Sequence, residues 1–149
     1  MGIGEWLAEN WLNVFGSAGI AGLWLAVVAL RDEVKARRSA NLLTITTNHR
    51  EIWKEYLNNP KLTRVRDAAA DTARQPVTEA EQVLVTAVIF HAGSVHYALK
   101  GQLVVKLEGF RRDLAQFLSL PVPRAVWEKI KVLQNDDFVA FVESCRNWK

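Results

Sequence analysis

The sequence has very little cysteine and no basic residue among its first thirty positions. The single thiol, Cys145, has no partner for an internal disulfide, and this fits a protein of the reducing cytoplasm. All nineteen Lys and Arg residues lie at or beyond Arg31. The amino-terminal segment therefore lacks the positively charged start of a cleaved signal peptide, although Val27 to Ala29 has the small-residue character of a cleavage site.

Recognisable catalytic and cofactor motifs are also absent. The sequence has no phosphate-binding glycine-rich loop, no nucleophile elbow and no Cys/His cluster with metal-ligand spacing. Its histidines are His49, His91 and His96. The last two are five positions apart, which on a helix separates them by about 140°, so they do not face one metal ion. We predict no cofactor, no metal and no identifiable catalytic residue, the three histidines being the weak candidates.

The sequence does contain a long apolar run near its amino terminus. Trp11 to Leu30 contains twenty uncharged residues, among which Asn13 and Ser17 are the clearly polar ones. A helix of this length reaches roughly 30 Å, the thickness of the hydrocarbon core of a bilayer. A buried core helix is the alternative, but core helices are usually shorter and polar on one side. The run predicts a single transmembrane helix.

The flanks of this run predict its orientation. Glu5 and Glu9 precede it, whereas basic residues crowd its exit, and basic residues determine topology much more strongly than acidic ones. We therefore predict an extracytoplasmic segment at 1–10, a span at 11–30 and a cytoplasmic domain at 31–149. Arg31, Lys35 and Arg38 share a helical face suited to phospholipid headgroups, or they act as ordinary topology anchors.

Small residues recur at every fourth position within the predicted span. Ala18, Gly22 and Ala26 form one stripe along a helix, which would allow a second helix to approach closely. The stripe predicts a homo-oligomer assembled in the membrane. The alternative is that small residues are simply frequent in membrane helices.

The part that follows the span has the size of one compact domain. Its 119 residues carry a formal charge of +5, because fourteen of the sixteen acidic residues also lie there. The opposite charges are interspersed, which indicates a solvated surface rather than a nucleic-acid site and fits the anionic inner leaflet. We expect the lipid bilayer, a second copy and a cytoplasmic protein as partners, and no nucleic acid.

The pattern beyond the span predicts an all-α bundle of about five helices. The first helix should continue to Asn58, and Asn59 with Pro60 should cap and start another that runs to Arg74. A capping box at Thr78 to Glu81 starts a core helix rich in apolar residues. Its uncharged stretch, 82–98, also allows a second span.

The carboxyl-terminal part should be helical as well. Apolar residues recur at helical spacing from Leu103 to Phe117, so a helix should continue there with possible kinks at the nearby glycines. The prolines in 119–123 predict a rigid connector. Two short helices, Arg124 to Leu133 and Asp137 to Arg146, should follow, with Cys145 as a small core residue or, alternatively, a reactive thiol.

One polar set has no simple structural explanation. If the long helix and the core helix face each other, these residues would form a polar pocket, and the alternative is a satisfied polar layer. The set consists of Asn48, His49, Arg50, Glu51, His91, His96, Tyr97 and Lys100.

Three stretches carry a resemblance. Residues 52–60 (IWKEYLNNP), 76–81 (PVTEAE) and 121–128 (PVPRAVWE) resemble a group of uncharacterised small bacterial proteins with one membrane span. The layout also resembles the membrane accessory proteins of RNA-targeting CRISPR systems, and that resemblance implies rings that perturb the inner membrane. Nucleases linked to such systems carry an Arg and a His separated by four to six intervening residues, a spacing that no histidine here has.

Three functions follow as expectations. The first is a non-enzymatic, inner-membrane-anchored helical protein that acts through self-association or a protein partner. The second is an oligomeric membrane-perturbing or pore-forming effector, in phage defence, with Asn13 and Ser17 facing a lumen. The third is an enzyme or nuclease that uses a pocket containing His49, His91 or His96.

Overall fold

The computed structural model describes the backbone of residues 3–104, 107 and 109–147, and the side chains of these residues from 22 onward. This part of the chain is helical without a β-strand, which confirms the predicted all-α class for it. The α-helices are α1 (Ile3–Asn58), α2 (Glu79–Lys100), α3 (Phe110–Ser119), α4 (Pro121–Ile130) and α5 (Asp136–Arg146), with 3-10 helices at Pro60–Arg66 and Lys131–Leu133.

The chain divides into two compact units, 1–39 and 40–149. The first unit belongs to α1, whose helical backbone includes the predicted span Trp11 to Leu30. The side chains at 11–21, including those of Ala18, Asn13 and Ser17, lie outside the described residues. The membrane span therefore stays a prediction.

The second unit has one hydrophobic core, and α2 supplies much of it. The prediction of a core helix after the capping box is confirmed, because Val85 and Ile89 are fully buried beside Trp127 and Phe138. Among the described residues, α2 is the one helix long and apolar enough to cross a membrane. Its buried face packs within this core, so we treat it as a core helix. The core consists of Leu62, Val65, Leu84, Val85, Ile89, Ala92, Leu114, Leu118, Val122, Val126, Trp127, Ile130, Phe138 and Val142.

A buried ion pair joins the first 3-10 helix to the start of α2. The Glu81 side chain is 1% exposed, and the Arg64 guanidinium donates to both of its carboxylate oxygens at 2.8 Å. The same carboxylate accepts from the Thr78 backbone N–H, so the predicted capping box is confirmed. Arg64 also donates to the carbonyls of Gln75 and Pro76. One side chain thereby ties both ends of the connecting loop together.

The predicted helix from Pro60 to Arg74 is wrong beyond its first turns. Asn59 does cap the segment by accepting from the Lys61 N–H, but the 3-10 helix ends at Arg66. Asp67 and Asp71 then accept hydrogen bonds from backbone N–H groups two residues further on. These Asx turns offer the backbone an alternative to the helix, and the contacts of Arg64 with the far end of the loop reinforce it.

The predicted continuous helix through Gly101 and Gly109 is also wrong, because α2 ends at Lys100 and α3 begins at Phe110. The Leu103 N–H donates to the Ala98 carbonyl and the Gln102 N–H to the Leu99 carbonyl. This pattern is a Schellman motif, which requires a left-handed residue just after the helix. Gln102 takes that conformation with φ of 54°. The motif stops the helix before the periodic apolar residues of α3.

We expect Gln102→Gly to stabilise the protein. A left-handed conformation costs an L-residue about 1–2 kcal/mol, and glycine adopts it without that penalty. Allowing for the greater freedom of glycine in the unfolded chain, we expect a gain of about 0.5–1 kcal/mol in the free energy of unfolding, measured by denaturant titration.

The matched control is Gly109→Ala, because Gly109 also has a left-handed backbone, with φ of 88°. This substitution should shift the free energy of unfolding in the opposite direction by about 1 kcal/mol. Equal effects of the two substitutions would contradict the argument from backbone conformation.

The last helices begin earlier than predicted. Pro121 occupies the first position of α4, where its missing N–H is not needed, so the predicted connector 119–123 is partly helical. The predicted helix Arg124 to Leu133 is α4 followed by a short 3-10 turn, and α5 matches the predicted Asp137 to Arg146 within one residue. Both helices bury apolar faces in the core of the second unit.

Candidate functional site

A cavity of about 350 Å³ lies within the second unit, between α2, α3 and the part of α1 from Leu42 to Trp53. Most of its wall is aliphatic or aromatic. The polar side chains in its described lining are those of Thr46, His49, His91 and Asp113. Its other lining residues are Leu42, Ile45, Trp53, Val88, Ala92, Val95, Leu107, Phe110, Leu114 and Phe117.

Two of the three predicted histidines meet in this cavity. The rings of His49 and His91 have centroids 5.5 Å apart. The rings of Trp53 and His49 meet edge-to-face with centroids 5.9 Å apart. The pairing arises because His49 on α1 and His91 on α2 meet at the cavity wall. A hydrogen bond from the Asn41 side chain on α1 to the Leu103 carbonyl links α1 to the segment that follows α2. The predicted facing of the long helix and the core helix is thus present at His49 and His91.

The environment of the pair disfavours a positive charge on His91. This side chain is half-buried, and burial together with the charge of neighbouring His49 lowers the pKa of His91 from its ordinary value. In the part of the chain that the structure describes, neither imidazole has a hydrogen-bonded carboxylate that would counter the effect. The neutral form of His91 is therefore favoured.

His96 belongs to a different cluster, so the predicted pocket does not include all its members. The His96 Nε2 lies 3.0 Å from Asp137 Oδ2, and the His96 ring packs at a tilt against the Phe141 ring with centroids 4.3 Å apart. Lys100 donates to the other oxygen of Asp137 at 2.7 Å. The hydrogen bond from Lys100 lowers the pKa of the Asp137 carboxyl most, and the hydrogen bond with His96 lowers it further. These contacts link the end of α2 to α5, so His96 has a structural role.

The remaining members of the predicted polar set lie outside the described lining of the cavity. Asn48, Arg50 and Glu51 are exposed on α1. The Glu51 Oε2 lies 3.8 Å from the Lys54 Nζ. Tyr97 is exposed on the outer side of α2. The described residues contain no cluster of three or more His, Cys, Asp or Glu side chains arranged to hold a metal ion.

The predicted membrane-associated residues fall in the first unit. Gly22 and Ala26 of the stripe are exposed, whereas the Ala18 side chain lies outside the described residues. Arg31 and Lys35 are exposed and Arg38 is half-buried. This exposure is compatible with contact to lipid or to another chain.

Cys145 lies in the core rather than at a reactive surface. Its side chain has no solvent exposure on α5, as the interpretation of a small apolar core residue requires. A thiol needs access to solvent for nucleophilic chemistry. The alternative of a reactive thiol is not favoured by this position.

The cavity offers binding more readily than catalysis. Two imidazoles beside each other can donate or accept hydrogen bonds, while the apolar wall excludes water from a bound molecule. Sequence reasoning missed Trp53 and Asp113 as lining residues. The usable signal for Trp53 was its spacing of four from His49, which places both on one face of α1. No comparable signal identified Asp113.

Comparison with known proteins gives no relative for this chain. No protein-family model matches it, and no curated protein or solved structure shows significant similarity to it.

Proposed function

We propose that this chain is a bacterial inner-membrane protein that is anchored by Trp11 to Leu30 and acts through self-association or a protein partner, without catalysis of its own. Its amino terminus lies outside and its helical domain lies in the cytoplasm. One observation carries this proposal, namely the exposed apolar surface of α1 in the first unit.

Leu23, Trp24 and Leu25 are 70%, 64% and 71% exposed. Consecutive residues on an α-helix point about 100° apart, so these three cover most of its circumference. A helix that is apolar all round has no side suited to water, and exposed apolar area costs about 25 cal/mol per Å² relative to burial. Lipid or a second copy of the helix would remove this cost.

The small-residue stripe supports contact between copies. A side chain added at Gly22 would have no atom within 4 Å, so a neighbouring helix has free space to approach there. Close backbone approach along small residues is a common means of helix association in membranes. A larger residue at Gly22 should therefore hold two helices apart.

The second unit has an exposed apolar surface of its own. Val83, Phe90 and Tyr97 recur every seven residues along the outer side of α2, and all three are exposed. Val132 and Leu133 in the second 3-10 helix are exposed as well. Apolar surface of this kind on a folded domain is suited to a protein contact, and it supports a cytoplasmic partner or a second copy.

The first experiment tests the anchor and the assembly together. The full chain should fractionate with membranes after a carbonate wash and should form an oligomer in mild detergent, with its mass measured by light scattering. Gly22→Leu and Ala18→Leu should each reduce that mass toward the monomer, because the added side chains block close approach.

The matched control is Val28→Leu, which adds bulk about 120° around the helix from Gly22 and should leave the mass unchanged. Recovery of the wild-type chain in the soluble fraction would refute the anchor. A wild-type monomer in mild detergent, or an oligomer that tolerates both stripe substitutions, would refute assembly through the stripe.

A further inference from the structure

The cavity that His49 and His91 share combines an apolar interior with two imidazoles at one place on its wall. The two imidazoles contact each other, and His49 also contacts Trp53, but within the described residues neither imidazole forms a hydrogen bond. The inference drawn from this arrangement is independent of membrane anchoring and of self-association.

We propose that this cavity binds a small amphiphile with a single carboxylate at the end of an apolar chain, and that the carboxylate lies against His49 and His91. The chemical class is a monocarboxylic acid with a medium-length hydrocarbon chain. The two imidazoles recognise the headgroup, and the aliphatic and aromatic wall receives the chain.

The anionic headgroup follows from the histidine pair. Two imidazolium rings with centroids 5.5 Å apart repel each other, and a half-buried ring is poorly solvated. A carboxylate between them would supply the missing counter-charge and accept one N–H from each ring. The lowered pKa of His91 has the same two causes, burial and the neighbouring His49, and an anion would oppose both.

The apolar chain follows from the remaining wall. Leu42, Ile45, Val88 and Val95 line it, together with the aromatic rings of Phe110 and Phe117. A volume of about 350 Å³ falls at the lower end of the range of about 300–1,000 Å³ for small-molecule sites. Such a cavity suits a chain of moderate length without a second headgroup.

Other polar and charged groups line the cavity or lie beside its wall. Thr46 on α1 adds a hydroxyl, and Asp113 on α3 is an exposed carboxylate in the lining. Arg66 lies over the Trp53 ring at 5.1 Å from its centroid. Asp113 is the group that would favour a cation instead, so the test must include a cationic ligand.

The test uses three ligands with the same chain, namely octanoate, octan-1-ol and octylammonium. The full chain is labelled with ¹⁵N at histidine and held in lipid nanodiscs, and imidazole resonances report binding. At pH 6.5 we expect octanoate to bind at least about ten-fold more tightly than octan-1-ol, a difference of about 1.4 kcal/mol.

The pH dependence has a defined sign. Octanoate should bind most tightly when His91 is protonated, so its affinity should fall as pH rises, whereas that of octan-1-ol should not change. By linkage, bound octanoate should raise the pKa of His91 toward or above its ordinary value. The titration of the His91 resonance with and without octanoate measures this shift directly.

Three substitutions assign the effect to the cavity. His91→Leu and His49→Gln should each reduce the affinity for octanoate to that for octan-1-ol, and Asp113→Asn should increase it. His96→Gln, which alters a histidine outside the cavity, is the matched control and should leave octanoate binding unchanged. Melting curves of each variant establish that it remains folded.

Each contrary result overturns the proposal. Equal binding of octanoate and octan-1-ol would make the pair irrelevant to the headgroup. Tighter binding of octylammonium that disappears in Asp113→Asn would assign the site to cations. No change in the His91 resonance with any ligand would mean that the cavity does not bind amphiphiles. None of these outcomes affects membrane fractionation or oligomer mass, so the two proposals fail separately.

Discussion

Glu81→Gln is expected to lower the free energy of unfolding by about 3–5 kcal/mol, because it removes one partner of a buried ion pair and leaves the Arg64 guanidinium without its counter-charge. The substitution preserves the shape of the side chain. It exchanges one of the carboxylate oxygens bound by Arg64 and Thr78 for an amide group. Chemical denaturation of the full chain, followed by circular dichroism, measures the loss.

Two controls separate the ion pair from other effects. Glu79→Gln changes an exposed acid in the same first turn of α2 and should cost less than about 0.5 kcal/mol. The double variant Arg64→Met with Glu81→Leu should be less destabilised than Glu81→Gln, because it leaves no unpaired charge in the core. A double variant at least as unstable as Glu81→Gln would contradict the desolvation argument.

The same carboxylate predicts a pH dependence. The pKa of Glu81 is lowered from 4.5 to about 2. The largest cause is the hydrogen bonding by Arg64, and hydrogen bonds with Thr78 add to it. A depressed native pKa gives stability that is fully present above about pH 4.5 and is lost as pH falls toward 2. The contribution is about 3 kcal/mol. The gap in stability between the wild type and Glu81→Gln should therefore narrow over this window, and a constant gap would contradict the assignment.

Trp127→Ala should destabilise the protein by a similar amount, about 3–5 kcal/mol. Trp127 has no solvent exposure, and its ring meets Phe138 edge-on with centroids 6.1 Å apart. Its indole N–H also donates to Glu143 at 2.8 Å. Removal of the ring leaves a large cavity between α2, α4 and α5, and the melting temperature should fall accordingly.

Trp127→Phe distinguishes packing from hydrogen bonding. The phenyl ring restores most of the apolar contact but has no donor for Glu143, whose carboxylate still lies 3.0 Å from Arg146. We therefore expect a loss of only about 1–2 kcal/mol. A loss as large as that of Trp127→Ala would place most of the energy in the hydrogen bond, contrary to this account.

Features with a local cause were predictable from the sequence. The capping box at Thr78 and Glu81 and the cap at Asn59 depend on residues within one turn of each other, and both are present. The segment after Arg66 could not be predicted in the same way. Its path depends on Arg64 reaching Gln75 and Pro76, contacts that follow from the position of α2 and that no short pattern contains.

The end of α2 illustrates a second limit. Gly101 and Gly109 looked like kinks in one helix, but the left-handed residue that ends α2 is Gln102, a residue type that gives no signal for this conformation. The histidines show the same limit at the site. Spacing excluded a shared face for His91 and His96, yet the partner of His91 is His49 on α1, which no pattern within α2 indicates. Asp113 joined the cavity through the packing of α3.

The reactivity of Cys145 can measure how often this domain opens. Since its sulfur is fully enclosed on α5, a thiol reagent can modify it only when that helix separates from the rest of the core. The rate of modification under native conditions thus reports how often the separation occurs. The measurement requires no engineered label, because no second cysteine in the chain competes for the reagent.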